Sequence, residues 1–376
     1  MNLLHVDTTS GMGGATRQLR GVLLEAVKRG SWKPFVLCLA KNPLAADLKE
    51  TGVELFTLSE ERFPGSLSRR VSWTHGLAPA RQEARVFEQD SGLTGEVNDL
   101  LKRWKIDLVH LNTHPLRDCF AARAAGRAGV PTVSHLRAIP PQRRFHYVET
   151  LSCRCLAISD FIADRWQAAG LPVENIRVIY NGYHRGSVHR GPSPGGPLRL
   201  ISVSRMVPWK NHEYLLKILD AWKDRLPEWS LKLVGSGPGE AALRAVVRKR
   251  GLESRVHFVG QVPDARPLLA DSDLLVHTAI DEPFGGVIPE AMLMGTPAVA
   301  LRSGGIPEII DNGVTGITVP VKRPDAFGAA IDHLLRDEEA RQAMAQAGTA
   351  LAASRFGFEN CFSSLADAFQ RAADGR

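Results

Sequence analysis

Short runs of β-branched and leucine-rich residues alternate with longer stretches of helical periodicity along the whole chain, and this alternation limits the possible folds more than any other feature. It is the rhythm of parallel sheets whose strands are joined by crossover helices. The N-terminal runs fall at residues 3–6, 35–39, 54–58, 108–112, 132–136, 154–158 and 176–179, enough for one complete doubly wound α/β domain. Residues 185–197 have no periodicity, are loaded with Gly and Pro, and read as a linker. The rhythm then resumes at residues 198–203, 229–234, 256–259, 274–277, 298–301 and 317–319. A chain of 376 residues is too long for one ordinary domain and suits two of about 150 to 200. We therefore expect an N-terminal Rossmann-like domain over 1–183, a linker over 184–197, a second such domain over 198–355 and a closing helix over 356–376, where Phe362, Leu365 and Phe369 recur at helical spacing. In open α/β sheets the ligand lies beyond the carboxyl ends of the strands, at the switch point of strand order, so two such domains facing each other would make a cleft.

Composition narrows the function classes. No run approaches the roughly 18 consecutive apolar residues of a spanning helix, and residues 1–5 pass straight into the polar Asp7, Thr8, Thr9 and Ser10, so neither a signal peptide nor a membrane span is expected. The cysteines (Cys38, Cys119, Cys153, Cys155 and Cys361) are scattered and set among apolar neighbours, which argues against a disulfide framework and fits a reducing cytoplasm. Cys153 and Cys155 are too close for a common metal or redox pattern, and no metal site is expected. Charge is uneven: residues 1–183 hold 24 Lys and Arg against 18 Asp and Glu, while residues 184–376 hold 23 against 22. A basic N-terminal half suits an anionic small substrate or an acidic membrane surface. Without helix-turn-helix spacing, finger ligands or an RNA-binding aromatic signature, nucleic acid is not expected.

Several loops follow strands in positions where chemistry can be placed. After the first strand comes Gly11, Gly13 and Gly14, then a helical pattern over 16–29; the glycines let backbone approach a ligand closely, and a helix start offers free amides to phosphate. A tight strand-to-helix turn explains that loop equally well. The first strand of the second domain ends at Ser204 and runs into Arg205 and Lys210, which can neutralise a pyrophosphate or serve as solvated surface cations. Gly235 and Gly237 repeat the strand-into-glycine pattern one crossover later. The most informative segment is 277–297, where a strand ends at His277 and a helix begins near Gly286. Glu282 then lies on the loop and Glu290 just over one turn into the helix. The amides of Phe284, Gly285, Gly286 and Val287 would face a phosphate or sugar oxygens.

Glu282-Pro283-Phe284-Gly285, the second glutamate Glu290, Ala291-Met292, Gly295-Thr296-Pro297 and the downstream Ser303-Gly304-Gly305-Ile306-Pro307-Glu308 together resemble the donor site of glycosyltransferase family 4. The resemblance extends over nearly the whole chain and takes in Gly13-Gly14, Asn181-Gly182, the Arg205/Lys210 pair and the turn 234–238. It implies a GT-B fold, α/β with two facing Rossmann-like domains and a cleft between them, and transfer with retention of anomeric configuration. It also implies roles. Glu282 would bind hydroxyls of the donor sugar and Glu290 the ribose hydroxyls. Arg205 and Lys210 would bind the diphosphate and stabilise the charge that builds on it as the glycosidic bond breaks. Gly13 and Gly14 would approach that diphosphate from the other domain. His135, at the end of its strand, occupies the position where the family places a histidine facing the donor sugar; a core or surface histidine is the alternative. The family pattern has an aspartate where this chain has His184.

The implied donor is a nucleotide diphosphate sugar of UDP or GDP type, a substrate and not a cofactor. No carboxylate is placed as a nucleophile on the far side of the sugar, which favours same-face transfer in which the leaving diphosphate helps deprotonate the acceptor. The long stretch 59–99 carries Arg62, Arg69, Arg70, Trp73, His75, Arg81 and Arg85. With Arg137, Arg143 and Arg144 it would form a basic mouth for a saccharide or lipid-linked acceptor, or for peripheral contact with an acidic membrane at its inner face, or else a solvated basic surface. The leading function class is a transferase of bacterial cell-surface polysaccharide or lipid-linked glycan synthesis. A small-molecule glycosyltransferase comes next, then a nucleotide-sugar epimerase or a non-catalytic sugar-binding relative.

Overall fold

The computed structural model describes residues 1–9, 11, 13–58, 91–113, 118–140, 153–185 and 197–375. They form two compact units, Met1–Tyr180 with Phe362–Arg376, and Asn181–Cys361. The first contains β1 (Asn2–Asp7), β2 (Lys33–Leu39), β3 (Glu54–Leu58), β4 (Leu108–Leu111), β5 (Thr132–Leu136), β6 (Cys153–Ala157) and β7 (Ile176–Val178) in the order β3-β2-β1-β4-β5-β6-β7. The second contains β8 (Leu198–Val203), β9 (Trp229–Val234), β10 (Val256–Gly260), β11 (Leu274–His277), β12 (Ala298–Arg302) and β13 (Ile317–Pro320) in the order β10-β9-β8-β11-β12-β13. Neighbouring strands pair in parallel throughout. Each run expected from sequence is a strand, with ends displaced by about two residues at most.

Strand order reverses between β1 and β4 in the first unit and between β8 and β11 in the second, which fixes where each sheet opens a crevice at its carboxyl edge. Both sheets are covered on both faces, which is why β4 and β11 are buried along their whole length and are apolar but for one histidine each, His110 inside β4 and His277 at the end of β11. In the first unit Leu4, Val6, Val109 and Leu111 pack against Val97 and Leu101 of the helix Ser91–Arg103 and Phe120 of the helix Cys119–Ala128. Under β2, Val36 and Cys38 meet Leu19 and Leu23 of the helix Gly14–Arg29. In the second unit Leu200, Leu233, Val276 and Val299 pack with Leu215 and Leu219 of the helix His212–Trp222 and Phe327 and Ile331 of the helix Pro324–Arg336. Each such side chain contributes about 1.5–3 kcal/mol when fully buried.

The C-terminal helix runs Phe358–Ala373, and its residues from Phe362 onward belong to the first unit. There Phe362 stacks on Trp32 with ring centroids 5.3 Å apart, and Phe369 meets Trp32 edge-on at 5.6 Å. Cys38, Cys119, Cys155 and Cys361 are free thiols. Among the described residues no helix is long and apolar enough to cross a membrane.

Candidate active site

At the switch point of the second unit, two loops from the carboxyl ends of neighbouring strands bring a cation and a carboxylate together. The loop after β8 ends in the short 3-10 turn Pro208–Lys210, and Asn211 leaves it in a left-handed conformation with φ of 58°. The loop after β11 contains Asp281, also left-handed at φ 51°. Asn and Asp tolerate that region better than other side chains, so both loops can turn sharply back. Ile280 N–H donates to the Trp209 carbonyl at 2.9 Å and Thr278 Oγ1 to the Asn211 carbonyl at 3.1 Å, tying the loops to each other. Lys210 Nζ then donates to Glu282 Oε2 at 2.5 Å, with its ammonium 4.2 Å from the centroid of the Trp209 ring.

Glu282 is 6% exposed, and His277 Nε2 lies 3.1 Å from the same carboxylate oxygen. An ionised carboxylate only accepts, so that ring nitrogen carries the proton. Burial by itself raises the Glu282 pKa, but the Lys210 charge and the His277 hydrogen bond outweigh it and hold the group at about 2. Burial also keeps His277 neutral, by lowering its pKa against the pull of Glu282. His212, whose Nε2 is 3.0 Å from Ser204 Oγ, is pushed down to about 4 chiefly by burial, with the Lys210 charge adding to it. Arg205 is different: it is exposed and makes no ion pair among the described residues.

The remaining donor-side residues separate into packing and open positions. Phe284 is buried, edge-on to Phe356 at 5.7 Å and parallel to Tyr183 at 6.5 Å. A Cβ at Gly286 would collide with the Tyr183 hydroxyl, so that glycine answers to packing. Gly285 has φ of 93°, and Val287 opens the helix Val287–Leu293 with Glu290 in its first turn. Glu290 is half-buried and close enough to Arg266 for their charges to interact. Gly235 has φ of 124° and lies so close to Ser204 that a Cβ would strike that carbonyl, which presses the β9 turn onto the loop carrying Arg205.

In the first unit the switch point holds the glycine loop and a buried polar network. Gly13 precedes the helix and Gly14 begins it, and nothing among the described residues lies within 4 Å of where their Cβ atoms would be. Packing therefore does not demand glycine there. Asp7, at the end of β1, accepts from Thr9 Oγ1 at 2.6 Å and from Asn112 Nδ2 at 2.9 Å. Asn112 also donates to the Ala15 carbonyl at 3.3 Å, and Arg137 Nε donates to the Asn112 carbonyl at 2.8 Å. His135 is buried, with Nδ1 at 2.7 Å from His110 Nε2.

Sequence reasoning passed over His277, Thr278, Trp209, His5, His110, Trp32 and Asn112. The available signal was a histidine or asparagine inside or at the end of an otherwise apolar strand, as in LLHVD, LVHLN and LLVH. His184, where the family pattern has an acid, stacks on Phe358 with centroids 4.0 Å apart. Arg62, Arg69, Arg70, Trp73, His75, Arg81, Arg85, Arg143 and Arg144 lie outside the described residues.

Comparison with known proteins bears on both units. Residues 12–185 match the family model "Glycosyltransferase Family 4" and residues 188–351 match "Glycosyl transferases group 1". The chain is 29% identical over 210 residues to the lipopolysaccharide core biosynthesis glycosyltransferase LpsE of Rhizobium meliloti, covering 54% of this chain and 59% of that protein. It is 26% identical over 312 residues to the D-inositol 3-phosphate glycosyltransferase of Corynebacterium glutamicum, covering 77% of this chain and 73% of that one. Among solved structures, Anabaena HepE in complex with UDP and glucose matches with a TM-score of 0.80 at 23% identity, over 98% of this chain and 99% of that one. That likeness gives the fold: two Rossmann-like units of GT-B type.

Proposed function

Because the chain belongs to glycosyltransferase family 4, we infer that it is a retaining transferase that moves a hexose from a nucleoside diphosphate sugar to an acceptor hydroxyl, in the synthesis of a cell-surface polysaccharide or lipid-linked glycan. The observation that carries this reading is the buried Lys210–Glu282–His277 cluster at the β8/β11 switch point. Glu282 stays ionised at every physiological pH and offers acceptor oxygens to sugar hydroxyls. Lys210, anchored by that carboxylate, and the exposed Arg205 would supply positive charge where a diphosphate would leave. The glycines Gly13 and Gly14 suit close approach of a phosphate to backbone. Glu290 would take the ribose hydroxyls, and His135 the sugar. The sequence places no carboxylate as a nucleophile on the far side of the sugar, which favours attack on the face the diphosphate leaves, through an oxocarbenium-like state, as the route to retention.

Two relatives favour the donor and acceptor classes. The matched Anabaena structure holds UDP and glucose, and the Rhizobium relative is named for lipopolysaccharide core synthesis. The test is to incubate the protein with a panel of UDP- and GDP-hexoses and candidate acceptors, detect products by mass spectrometry, and read the product anomer from its proton coupling constant. An inverted product would exclude same-face transfer. Turnover of every donor to an isomerised nucleotide sugar, with no transfer, would replace the transferase reading by an epimerase.

A further inference from the structure

Behind His135 stands a file of buried rings that the donor reading does not use. His5 of β1 is the register partner of His110 of β4. His110 in turn pairs with Val133 of β5, and His135 is two residues further along, on the same face as Val133. Trp32 Nε1 lies 3.2 Å from His5 Nε2, His5 Nδ1 lies 2.9 Å from His110 Nδ1, and His110 Nε2 lies 2.7 Å from His135 Nδ1. Phe369 closes the file, 5.0 Å from His110 and 6.0 Å from His5 between centroids.

The protons in this file have one consistent arrangement. An indole N–H can only donate. His5 Nε2 therefore accepts, its proton sits on Nδ1 and is donated to His110 Nδ1, and the His110 proton sits on Nε2 and is donated to His135 Nδ1. The His135 proton is then on Nε2, the only ring nitrogen of the three histidines without a hydrogen-bond partner among the described residues. At the far end the guanidinium of Arg137, again a pure donor, lies 3.5 Å from His135 Nδ1 and favours a lone pair there. Reversing the file would turn N–H against N–H at Trp32, and a buried unpaired donor weights the population against that form by roughly 10- to 100-fold.

We propose that Trp32, His5 and His110 are positioning residues that lock His135 in its neutral Nε2–H tautomer, so that His135 meets its ligand as a hydrogen-bond donor to a sugar oxygen and not as a general base. The functional half rests on the reading that puts His135 at the donor sugar; the lock itself does not. Neutrality is supported by burial, which lowers the His5 pKa to about 3 and those of His110 and His135 well below the usual value. A metal does not explain the cluster, because five of its six ring nitrogens are already committed to hydrogen bonds, and among the described residues no group of His, Cys, Asp or Glu is arranged to hold one.

Tautomers can be read directly from long-range proton–nitrogen spectra of the full chain labelled with ¹⁵N-histidine, with each ring assigned by substitution. At pH 7 the expected pattern is Nδ1–H for His5 and Nε2–H for His110 and His135, unchanged at pH 5. Trp32→Phe keeps the aromatic packing but removes the donor, so His5 should gain Nε2–H and His135 a measurable Nδ1–H population. An Nδ1–H ring at His135 in the wild type overturns the lock, and so does a Trp32→Phe spectrum with all three patterns unchanged. If that variant fails to fold, the wild-type spectrum decides. A second measurement separates the functional half. UDP-sugar hydrolysis should fall about 10- to 100-fold in kcat/KM in His135→Ala, and Gln, which can place an N–H near Nε2, should recover most of it. Gln no better than Ala would remove the donor role. Equal activity of Ala, Gln and wild type would remove His135 from the donor site and leave the tautomer result standing.

Discussion

Lys210 and Glu282 carry opposite charges in a site where both side chains are about nine-tenths hidden from solvent, 12% and 7% exposed. Removing one partner leaves the other buried and unpaired, which costs more than the pair itself contributes. Glu282→Gln should therefore destabilise the protein by about 3 kcal/mol at pH 7. Because the folded pKa of Glu282 is about 2, below its usual 4.5, its contribution is complete above about pH 4.5 and is lost as pH falls towards 2. Urea unfolding of wild type and variant at several pH values should show the difference shrinking over that window; a penalty constant from pH 7 to 3 would contradict the ion-pair account. Lys210→Ala should carry a similar cost of about 3–5 kcal/mol. Arg205→Ala should change stability by no more than about 0.5 kcal/mol, since the side chain is exposed. Both substitutions should lower kcat for donor turnover more than they raise KM, because charge on the diphosphate grows as the bond breaks. If only KM changes, the two cations anchor the ground state and nothing more.

The loops that hold these side chains are themselves held by backbone bonds between elements. Asp281 N–H donates to Ser303 Oγ at 2.8 Å, and Gly305 N–H donates to the Glu282 carbonyl at 2.8 Å, so the loop after β12 clamps the loop after β11. Gly304 makes that clamp possible. Its φ is 64°, and a Cβ there would collide with the backbone nitrogen and carbonyl of Glu282 itself. Gly304→Ala should therefore cost the backbone strain plus a steric displacement, about 2–4 kcal/mol in all, and reduce donor binding by moving Glu282. Gly313→Ala is the matched control, with φ of 81° but no atom within 4 Å of the added Cβ, and should cost only about 1 kcal/mol. Equal losses of stability and donor affinity in the two variants would mean that the clamp does not position Glu282. The sequence showed Ser303, Gly304 and Gly305 only as part of a motif; their contact with Glu282 depends on β11 and β12 being neighbours.

At the scale of the whole molecule the charge is segregated, 24 basic against 18 acidic residues in 1–183 and 23 against 22 in the remainder. The donor-side cations Lys210 and Arg205 both lie in the nearly balanced 184–376 half, so the donor side does not call for the N-terminal surplus. An anionic acceptor or membrane surface is the simplest use of it. Replacing Arg69 and Arg70 by Ser should raise the acceptor KM and flatten its dependence on salt, while acceptor-free donor hydrolysis barely changes. Wild-type acceptor kinetics in the double variant at both low and high salt would reduce the basic stretch to a solvated surface.

The strands were legible in the sequence because each is short, apolar and bounded by turn residues, and a strand buried on both faces leaves that trace whatever surrounds it. The Glu282 to Glu290 segment was legible for a similar reason: its order along the chain is itself the motif. What the linear order could not carry was adjacency. Lys210 and Glu282 are 72 positions apart and meet only because β8 and β11 are neighbours at the switch point. His5, His110 and His135 lie on strands distant in sequence; the motif pattern singled out His135 alone, and nothing in the linear order tied His5 or His110 to it. Only the order β1-β4-β5 and the parallel register place the three rings side by side, and the buried indole of Trp32 at one end, with the Arg137 guanidinium at the other, gives the file a direction. Hydrogen bonds act over about 3 Å whatever the separation along the chain, so the partners of these polar groups were decided by the tertiary structure alone.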